Sequence, residues 1–176
     1  LLGAGYVLQT VGLQYTSATV SGFITGMFVV FTPLLAWAVL AEPLAPTVWL
    51  GVALATVGLA LISLTGLGIG LGELFTLGCA ALFAGHIVGL GRWSTHEDAY
   101  GLTVLQLGVV AIMCLMGTLP QGGPSAPPNP QTWVAIVFLA IVATALAFLA
   151  QTWAQTHMSA PRAAIVLTLE PVFAGI

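Results

Sequence analysis

A glutamate followed directly by a proline, Glu170-Pro171, lies inside an apolar run that starts near Pro161. Glu170 is eleven residues beyond Ser159, which is roughly 16 Å along an α-helix. This distance predicts a carboxyl group near the midplane of a membrane, where an ionised carboxylate costs at least about 2.5–3.5 kcal/mol. Glu170 therefore either contacts a solute or carries a proton, or is protonated and hydrogen-bonds a carbonyl group freed by Pro171.

Two glutamines, Gln9 and Gln151, occupy matching positions in two similar segments, 8–18 and 150–160. Four of the eleven aligned positions are identical without a gap, namely a Gln, a Thr, a Ser and an Ala. Because an amide both donates and accepts, each glutamine contacts either a solute or a neighbouring helix. Tyr6, three residues before Gln9, shares its helix face and either extends this polar patch or only packs.

Thr32 and His86 complete the set of candidate site residues. Each similar segment leads into an apolar run with a proline, Pro33 in one and Pro171 in the other, so Thr32 is the counterpart of Glu170. His86 lies within an apolar run, where it is either a proton relay, a solute contact or a hydrogen-bonded packing residue. The set predicted for a solute or proton pathway is therefore Glu170, Gln9, Gln151, Tyr6, Thr32 and His86.

Metal, cofactor and nucleic-acid sites are not indicated. His96, Glu97 and Asp98 are consecutive in a hydrophilic loop without partner ligands, and Cys79 and Cys114 lack the spacing of a metal site or disulfide framework. No nucleophile, zinc-protease or phosphate-loop motif is found. Two basic residues are too few for a nucleic-acid surface. We therefore expect no metal, no cofactor and no enzyme.

The elements that position these residues follow from the scarcity of charge. The 176 residues include only two basic and five acidic side chains, and 59% are hydrophobic. Between Asp98 and Arg162 there are 63 consecutive uncharged residues. Such runs are long enough to cross a hydrocarbon core, which takes about 20 helical residues. The composition predicts an all-α integral membrane protein.

Proline, glycine and charge interrupt the apolar runs at regular intervals and predict seven spans. These are 1–13, 20–40, 46–65, 72–91, 101–119, 132–153 and a last one from 161 onward, with a Pro/Gly-rich external loop at 120–131. Leu1 is not an initiator methionine and neither end has a polar tail, so we expect an internal fragment with both end helices cut. Small residues at Gly22-x-x-x-Gly26 and Gly85-x-x-x-Gly89 predict close helix contacts.

The loops divide between the two sides of the membrane. Those with Glu42, Arg92 and Arg162 are two spans apart and share one side, which arginine in short loops assigns to the cytoplasm. Glu42 itself is predicted to end a helix at that interface. The two similar segments are separated by an odd number of spans, so the repeat is inverted. Inverted repeats are typical of transporters with a central solute site.

Several short motifs occur in a fixed order along the chain. They are Gly12-Leu-Gln-Tyr-Thr-Ser-Ala, Gly22-Phe-Ile-Thr-Gly, Pro33-Leu-Leu-Ala and Ala41-Glu-Pro-Leu, then Met158-Ser-Ala, Arg162 and Leu169-Glu-Pro-Val-Phe-Ala. In this order they resemble the EamA-type transporters of the drug/metabolite transporter superfamily. The resemblance implies two inverted five-helix repeats, with helices three to nine of ten present here. Residues 1–66 would end the first repeat and residues 72–176 would begin the second.

The function predicted from these observations is secondary transport of a small metabolite, amino acid or drug across the cytoplasmic membrane, as an exporter working by alternating access. The expected partners are the solute, the lipid bilayer, coupled protons and a second copy in a homodimer. A passive channel and an intramembrane enzyme built on Glu170 and His86 are the alternatives. The sequence does not separate a carrier from a channel.

Overall fold

A computed structural model describes residues 1–41, 46–63, 70–94 and 98–167 of the chain. Within these ranges there is no strand, and nine α-helices follow one another: α1 Leu2–Gly12, α2 Ala18–Thr25, α3 Phe28–Leu40, α4 Pro46–Ser63, α5 Leu71–Trp93, α6 Ala99–Thr118, α7 Pro130–Phe138, α8 Ala147–Gln155 and α9 Ala160–Leu167. A 3₁₀ turn, Leu119–Gln121, follows α6, and a π-helical segment, Leu139–Leu146, joins α7 to α8. The predicted all-α fold class is confirmed.

Four stretches of the described chain are long and apolar enough to cross a membrane: Ala18–Leu40, Leu71–Trp93, Ala99–Thr118 and Pro130–Gln155. Each coincides with a predicted span to within a few residues. The prediction of a polytopic helical membrane protein is therefore confirmed. Glu42, His96, Glu97 and Glu170 lie outside the described residues, as do residues 66–69 of the interval between the predicted spans 46–65 and 72–91.

The predicted second span differs from the structure because it is divided into α2 and α3. Ser17 caps α2 by accepting a hydrogen bond from the Val20 N–H at 3.2 Å. At Gly26 the backbone tightens, and the Val29 N–H bonds the Gly26 carbonyl three residues back, at 3.1 Å. Such i→i−3 bonds are typical of a short 3₁₀ interruption. Within α3, Pro33 removes one backbone donor from the helix.

Helix α5 is the centre of the bundle, in contact with α1, α2, α3 and α9. The buried core joins one face of α5 to α3 and α9 through Phe28, Val29, Ala36, Ala84, Ile87, Val88, Ala160 and Ala164. Alanine at three of the points of closest burial, Ala36, Ala84 and Ala164, lets the helix backbones approach each other. In a membrane this close packing stabilises helix association, because lipid supplies no hydrophobic driving force between helices.

Helices α1 and α5 make the most extensive contact in the bundle, and glycines on both helices allow it. A Cβ on Gly12 would lie 2.7 Å from Thr76 Oγ1 and 3.0 Å from the Gly72 carbonyl oxygen. A Cβ on Gly72 would lie 2.9 Å from the Gly12 oxygen. Gly22, in one of the two predicted contact motifs, faces open space instead, so that part of the packing prediction was wrong.

Contacts at the two ends of α5 show which loops lie near each other. At its start, Thr16 Oγ1 donates to Glu73 Oε1 at 2.6 Å, which brings the loop after α1 beside the start of α5. At its other end, a Cβ on Gly91 would lie 3.0 Å from Ala160 Cβ. Arg92 and Arg162 flank that second contact, so they lie at the same end of the bundle, as the loop count predicts.

Helix α6 and the Pro130–Gln155 stretch turn large apolar side chains away from the bundle. Exposed residues on them include Leu105, Ile112, Met116, Val134, Phe138 and Ile141. An apolar surface of this extent is unusual on a soluble protein. In a membrane protein such a surface faces an apolar environment, which is either lipid or a neighbouring helix.

Candidate solute-binding cavity

A cavity of about 420 Å³ lies between the helices, and two of the residues that line it, Ala143 and Ala147, are exposed. Its walls come from α1, α3, α5, α8, α9 and the π-helical segment: Leu2, Tyr6, Phe28, Phe83, His86, Ile87, Ala143, Ala147, Phe148, Gln151 and Leu167. Its volume is within the range of small-molecule sites, which are mostly apolar with a few convergent polar groups. The cavity has that character.

Three of the residues predicted from the sequence meet in this cavity. Tyr6 comes from α1, His86 from α5 and Gln151 from α8. The Tyr6 ring packs edge-on against Phe83, with centroids 5.4 Å apart and an interplanar angle of 65°. It also lies 6.3 Å from the Phe148 ring. The tyrosine is thereby held between two aromatic walls, beside the amide and the imidazole.

The π-helical segment forms part of the wall. Leu139–Leu146 is π-helical, and Ala143 within it lines the cavity. A π-helix widens the turn and is frequent at functional sites. Here it connects α7 to α8, the helix that carries Gln151.

A polar network behind the cavity includes residues that the sequence reasoning missed. Gln106 Nε2 on α6 donates to Thr152 Oγ1 at 2.9 Å. Gln155 Nε2 donates to the Ile87 carbonyl oxygen at 2.9 Å, and the Gln151 amide reaches Gln155 Oε1 at 3.4 Å. These bonds join α5, α6 and α8. The signal was available, because an amide in the middle of an apolar span, as at Gln106, is costly and marks a packed interior.

The sequence of the chain matches the EamA-like transporter family over residues 1–64 and 70–176. The chain belongs to the EamA-like transporter family. The chain is also similar to an uncharacterized transporter of Archaeoglobus fulgidus, with 32% identity over 98% of this chain and 55% of the relative. It thus spans about half the length of that relative. No solved structure matches it.

In this EamA-like chain the cavity lies between the two segments that match the family. Leu2, Tyr6 and Phe28 belong to the first segment, and His86 and Gln151, with the other lining residues, belong to the second. A relative movement of the two segments would therefore change the shape of the cavity directly.

The remaining predicted residues lie away from the cavity lining or outside the described chain. Gln9 Nε2 donates to Thr25 Oγ1 at 3.1 Å and so connects α1 to α2. Thr32 is fully buried and donates to the Phe28 carbonyl oxygen at 2.7 Å. Glu170 is not described, and Leu167, at the end of α9, is the described residue nearest to it in sequence that lines the cavity.

The electrostatic character of the cavity follows from its lining. None of the described residues that line it is Asp, Glu, Lys or Arg. No group of three His, Cys, Asp or Glu side chains able to hold a metal was found in the described part of the chain. Cys79 is buried and Cys114 partly exposed, each as a free thiol. The described lining residues can offer a solute aromatic contact and hydrogen bonds.

Proposed function

We propose that this EamA-like chain forms the solute pathway of a secondary transporter that exports a small metabolite, amino acid or drug across the cytoplasmic membrane. The observation that supports the proposal is the position of the cavity, which lies between the two family-matched segments and holds Tyr6, His86 and Gln151 together. Sites between repeats are where transporters of inverted architecture bind their solutes.

The lining suits reversible binding of a small molecule. Aromatic faces of Tyr6, Phe83 and Phe148 supply apolar contact. His86 and Gln151 supply hydrogen-bonding groups. A few polar contacts in an apolar cavity orient a solute while leaving it free to dissociate, which a carrier needs in every cycle.

Alternating access would use the junction of α1 and α5. At one end of these helices Gly12 and Gly72 are in close contact and Thr16 bonds Glu73. Rocking of the two family-matched segments against each other would separate that contact and open the cavity at this end of α1 and α5. Glu170, near the midplane by its position in the sequence, is the proposed proton or solute contact.

Counterflow in proteoliposomes tests the proposal with the full-length protein and a panel of labelled amino acids and other small metabolites. A carrier should show saturable counterflow of at least one solute. Replacing Gln151 by Leu should raise the half-saturating concentration about tenfold, because a solute group loses its hydrogen bond. Gln131→Leu, at an exposed amide on α7, is the matched control and should change nothing.

The same assay separates the alternatives. A passive channel would show flux that does not saturate and no counterflow. An intramembrane enzyme would return a chemically altered solute, which chromatography of the vesicle contents would reveal. Saturable counterflow of an unchanged solute, with no effect of Gln151→Leu or of substitutions at His86, would place the solute site elsewhere.

A further inference from the structure

We propose that a polar seam between α5 and the α1–α2 pair is the path by which the solute leaves the cavity, at the end of the bundle opposite Arg92 and Arg162. The seam consists of six polar side chains: Gln9, Thr16, Ser21, Thr25, Glu73 and Thr76. This inference rests on the proposed transport function and specifies the route of the solute through the protein.

Hydrogen-bonding side chains meet across the helices along the seam. Gln9 Nε2 on α1 donates to Thr25 Oγ1 on α2 at 3.1 Å. Closer to the end of the bundle, the hydroxyl oxygens of Ser21 on α2 and Thr76 on α5 are 3.5 Å apart. Only 1% of Ser21 and 0% of Thr76 is exposed. The seam is therefore polar but closed in this structure.

The face of α5 that carries the seam also lines the cavity. Four residues lie on one side of this helix because they are three, seven and four residues apart: Glu73, Thr76, Phe83 and Ile87. Phe83 and Ile87 line the cavity, whereas Glu73, at the start of α5, accepts from the Thr16 hydroxyl at 2.6 Å. Thr76 is about 10 Å from Phe83 along the helix axis. The seam thus continues from the cavity to the end of the bundle.

Helix α1 has the same order of residues. Tyr6 lines the cavity, and Gln9, three residues later, belongs to the seam. The Tyr6 ring packs edge-on against Phe83, with centroids 5.4 Å apart, and these two are the lining residues of α1 and α5 nearest to the seam in sequence. The two rings lie where the seam meets the cavity. Gln9, which does not line the cavity, would contact the solute on its way out.

The contact of α5 toward its other end has the opposite character. There α5 packs against α3 and α9 through apolar side chains that include Val29, Ala84, Val88 and Ala164. Exposing apolar side chains to water is unfavourable in proportion to their area. Hydroxyl and amide groups, in contrast, exchange their mutual hydrogen bonds for bonds to water at a small net cost. We therefore expect the polar side of α5 to open to water in each cycle and the apolar contact to stay packed.

Cysteine labelling tests whether the seam opens. Single cysteines would replace Ser21 or Thr76 in the seam, and Val29 or Val88 in the apolar contact, in full-length protein without other cysteines. Cysteine is close in size to all of these residues. The protein would be held in nanodiscs, where a hydrophilic thiosulfonate reagent reaches both ends of the bundle.

All four positions are buried, and Val29 and Val88 are only 2% and 6% exposed, so the closed structure alone predicts equally slow reactions. The two seam variants should react at least about tenfold faster than the two apolar variants, because only the seam contacts water in the open state. One folded variant from each pair is enough for the comparison.

A cross-link tests whether this opening carries the solute. Because the Ser21 and Thr76 hydroxyl oxygens are 3.5 Å apart, cysteines at both positions are within reach of a disulfide. Oxidation of the Ser21→Cys/Thr76→Cys variant with copper phenanthroline should lower saturable counterflow in proteoliposomes at least about tenfold, and a reducing agent should restore it. Each single variant, treated with the same oxidant, should keep its counterflow.

Unreactive seam positions, or equal reaction at all four positions, would overturn the path, because side chains that only hold the helices together stay closed. Undiminished counterflow in the cross-linked variant would overturn it as well. Saturable counterflow with an unreactive seam would leave the transport function standing and remove only the path. Fast labelling confined to the seam, without counterflow of any solute, would support the opening of the seam and remove the transport function.

Discussion

Gly72 is the position at which the smallest substitution should have the largest effect on the fold. A Cβ at Gly72 would lie 2.9 Å from the Gly12 carbonyl oxygen, the Tyr15 carbonyl carbon and Thr16 Cβ. Ordinary van der Waals contact begins at 3.4 Å, so α1 and the turn after it would have to move by about 0.5 Å. Two of the three atoms are backbone, and no rotation of a side chain relieves them.

The expected cost of Gly72→Ala is about 1–3 kcal/mol in the free energy of unfolding, the usual range for overpacking. The displaced turn also carries the Thr16 hydroxyl that donates to Glu73 at 2.6 Å, and weakening of that bond adds to the loss. Thermal unfolding of the purified protein in one detergent, followed by tryptophan fluorescence, measures the effect as a lower midpoint temperature.

Gly108→Ala is the matched control. Gly108 lies within α6 and a Cβ there would meet nothing within 4 Å, so alanine should be neutral or slightly stabilising through its helix propensity. If Gly72→Ala and Gly108→Ala both unfolded at the wild-type temperature, the close approach of α1 and α5 would be refuted. Equal destabilisation by both would show a general intolerance of alanine, with no bearing on that contact.

Three further substitutions test other parts of the structure. Glu73→Ala removes the acceptor of the Thr16 hydroxyl and of the Gly70 N–H at the start of α5, and should lower stability by about 0.5–2 kcal/mol in thermal unfolding. Gln155→Leu removes the side-chain hydrogen bond to the Ile87 carbonyl oxygen and the acceptor of Gln151 Nε2, and should cost about 1–3 kcal/mol. In a cysteine-free background, Ala143→Cys should react with a hydrophilic thiosulfonate reagent in membranes, and Ile141→Cys, on the exposed apolar surface, should not.

The controls for these substitutions differ. Glu73→Gln keeps one of the two acceptor oxygens and should retain part of the stability that Glu73→Ala loses; equal loss in both would contradict the hydrogen-bonding role. Gln131→Leu, at an exposed amide, should leave the unfolding midpoint unchanged where Gln155→Leu lowers it. Protection of Ala143→Cys by a transported solute is expected, and equal labelling of both cysteine variants would mean that the cavity is not the aqueous pathway.

Composition and spacing were enough to predict the all-α membrane class and most of the helices, and the order of the short motifs indicated the family. The reason is that a membrane-spanning helix satisfies its own backbone hydrogen bonds, so its ends are determined by local sequence. Pro130 begins α7, and the Asn129 side chain before it accepts from the Thr132 N–H at 2.8 Å. The break at Gly26 was not predicted, because no proline marks it and the local apolar pattern continues across it.

The candidate site was predictable only as a set of residue types. Tyr6, His86 and Gln151 were recognised because polar groups in apolar helices are costly and so are usually placed for a purpose. Gln106 has the same property and was overlooked, since it lies in neither copy of the repeated segment. Gln9 belongs to the repeated segment, yet its amide bonds Thr25 rather than entering the cavity lining.

The sequence by itself determined that the chain enters lipid, because seven charges among 176 residues cannot keep a domain of this size in water. It also determined the family, through motifs whose order is preserved along the chain. Only the tertiary structure decided which polar groups meet. Tyr6, His86 and Gln151 are far apart in sequence, and the rotation and crossing of α1, α5 and α8 that unite them depend on side-chain packing between helices, which no single helix encodes.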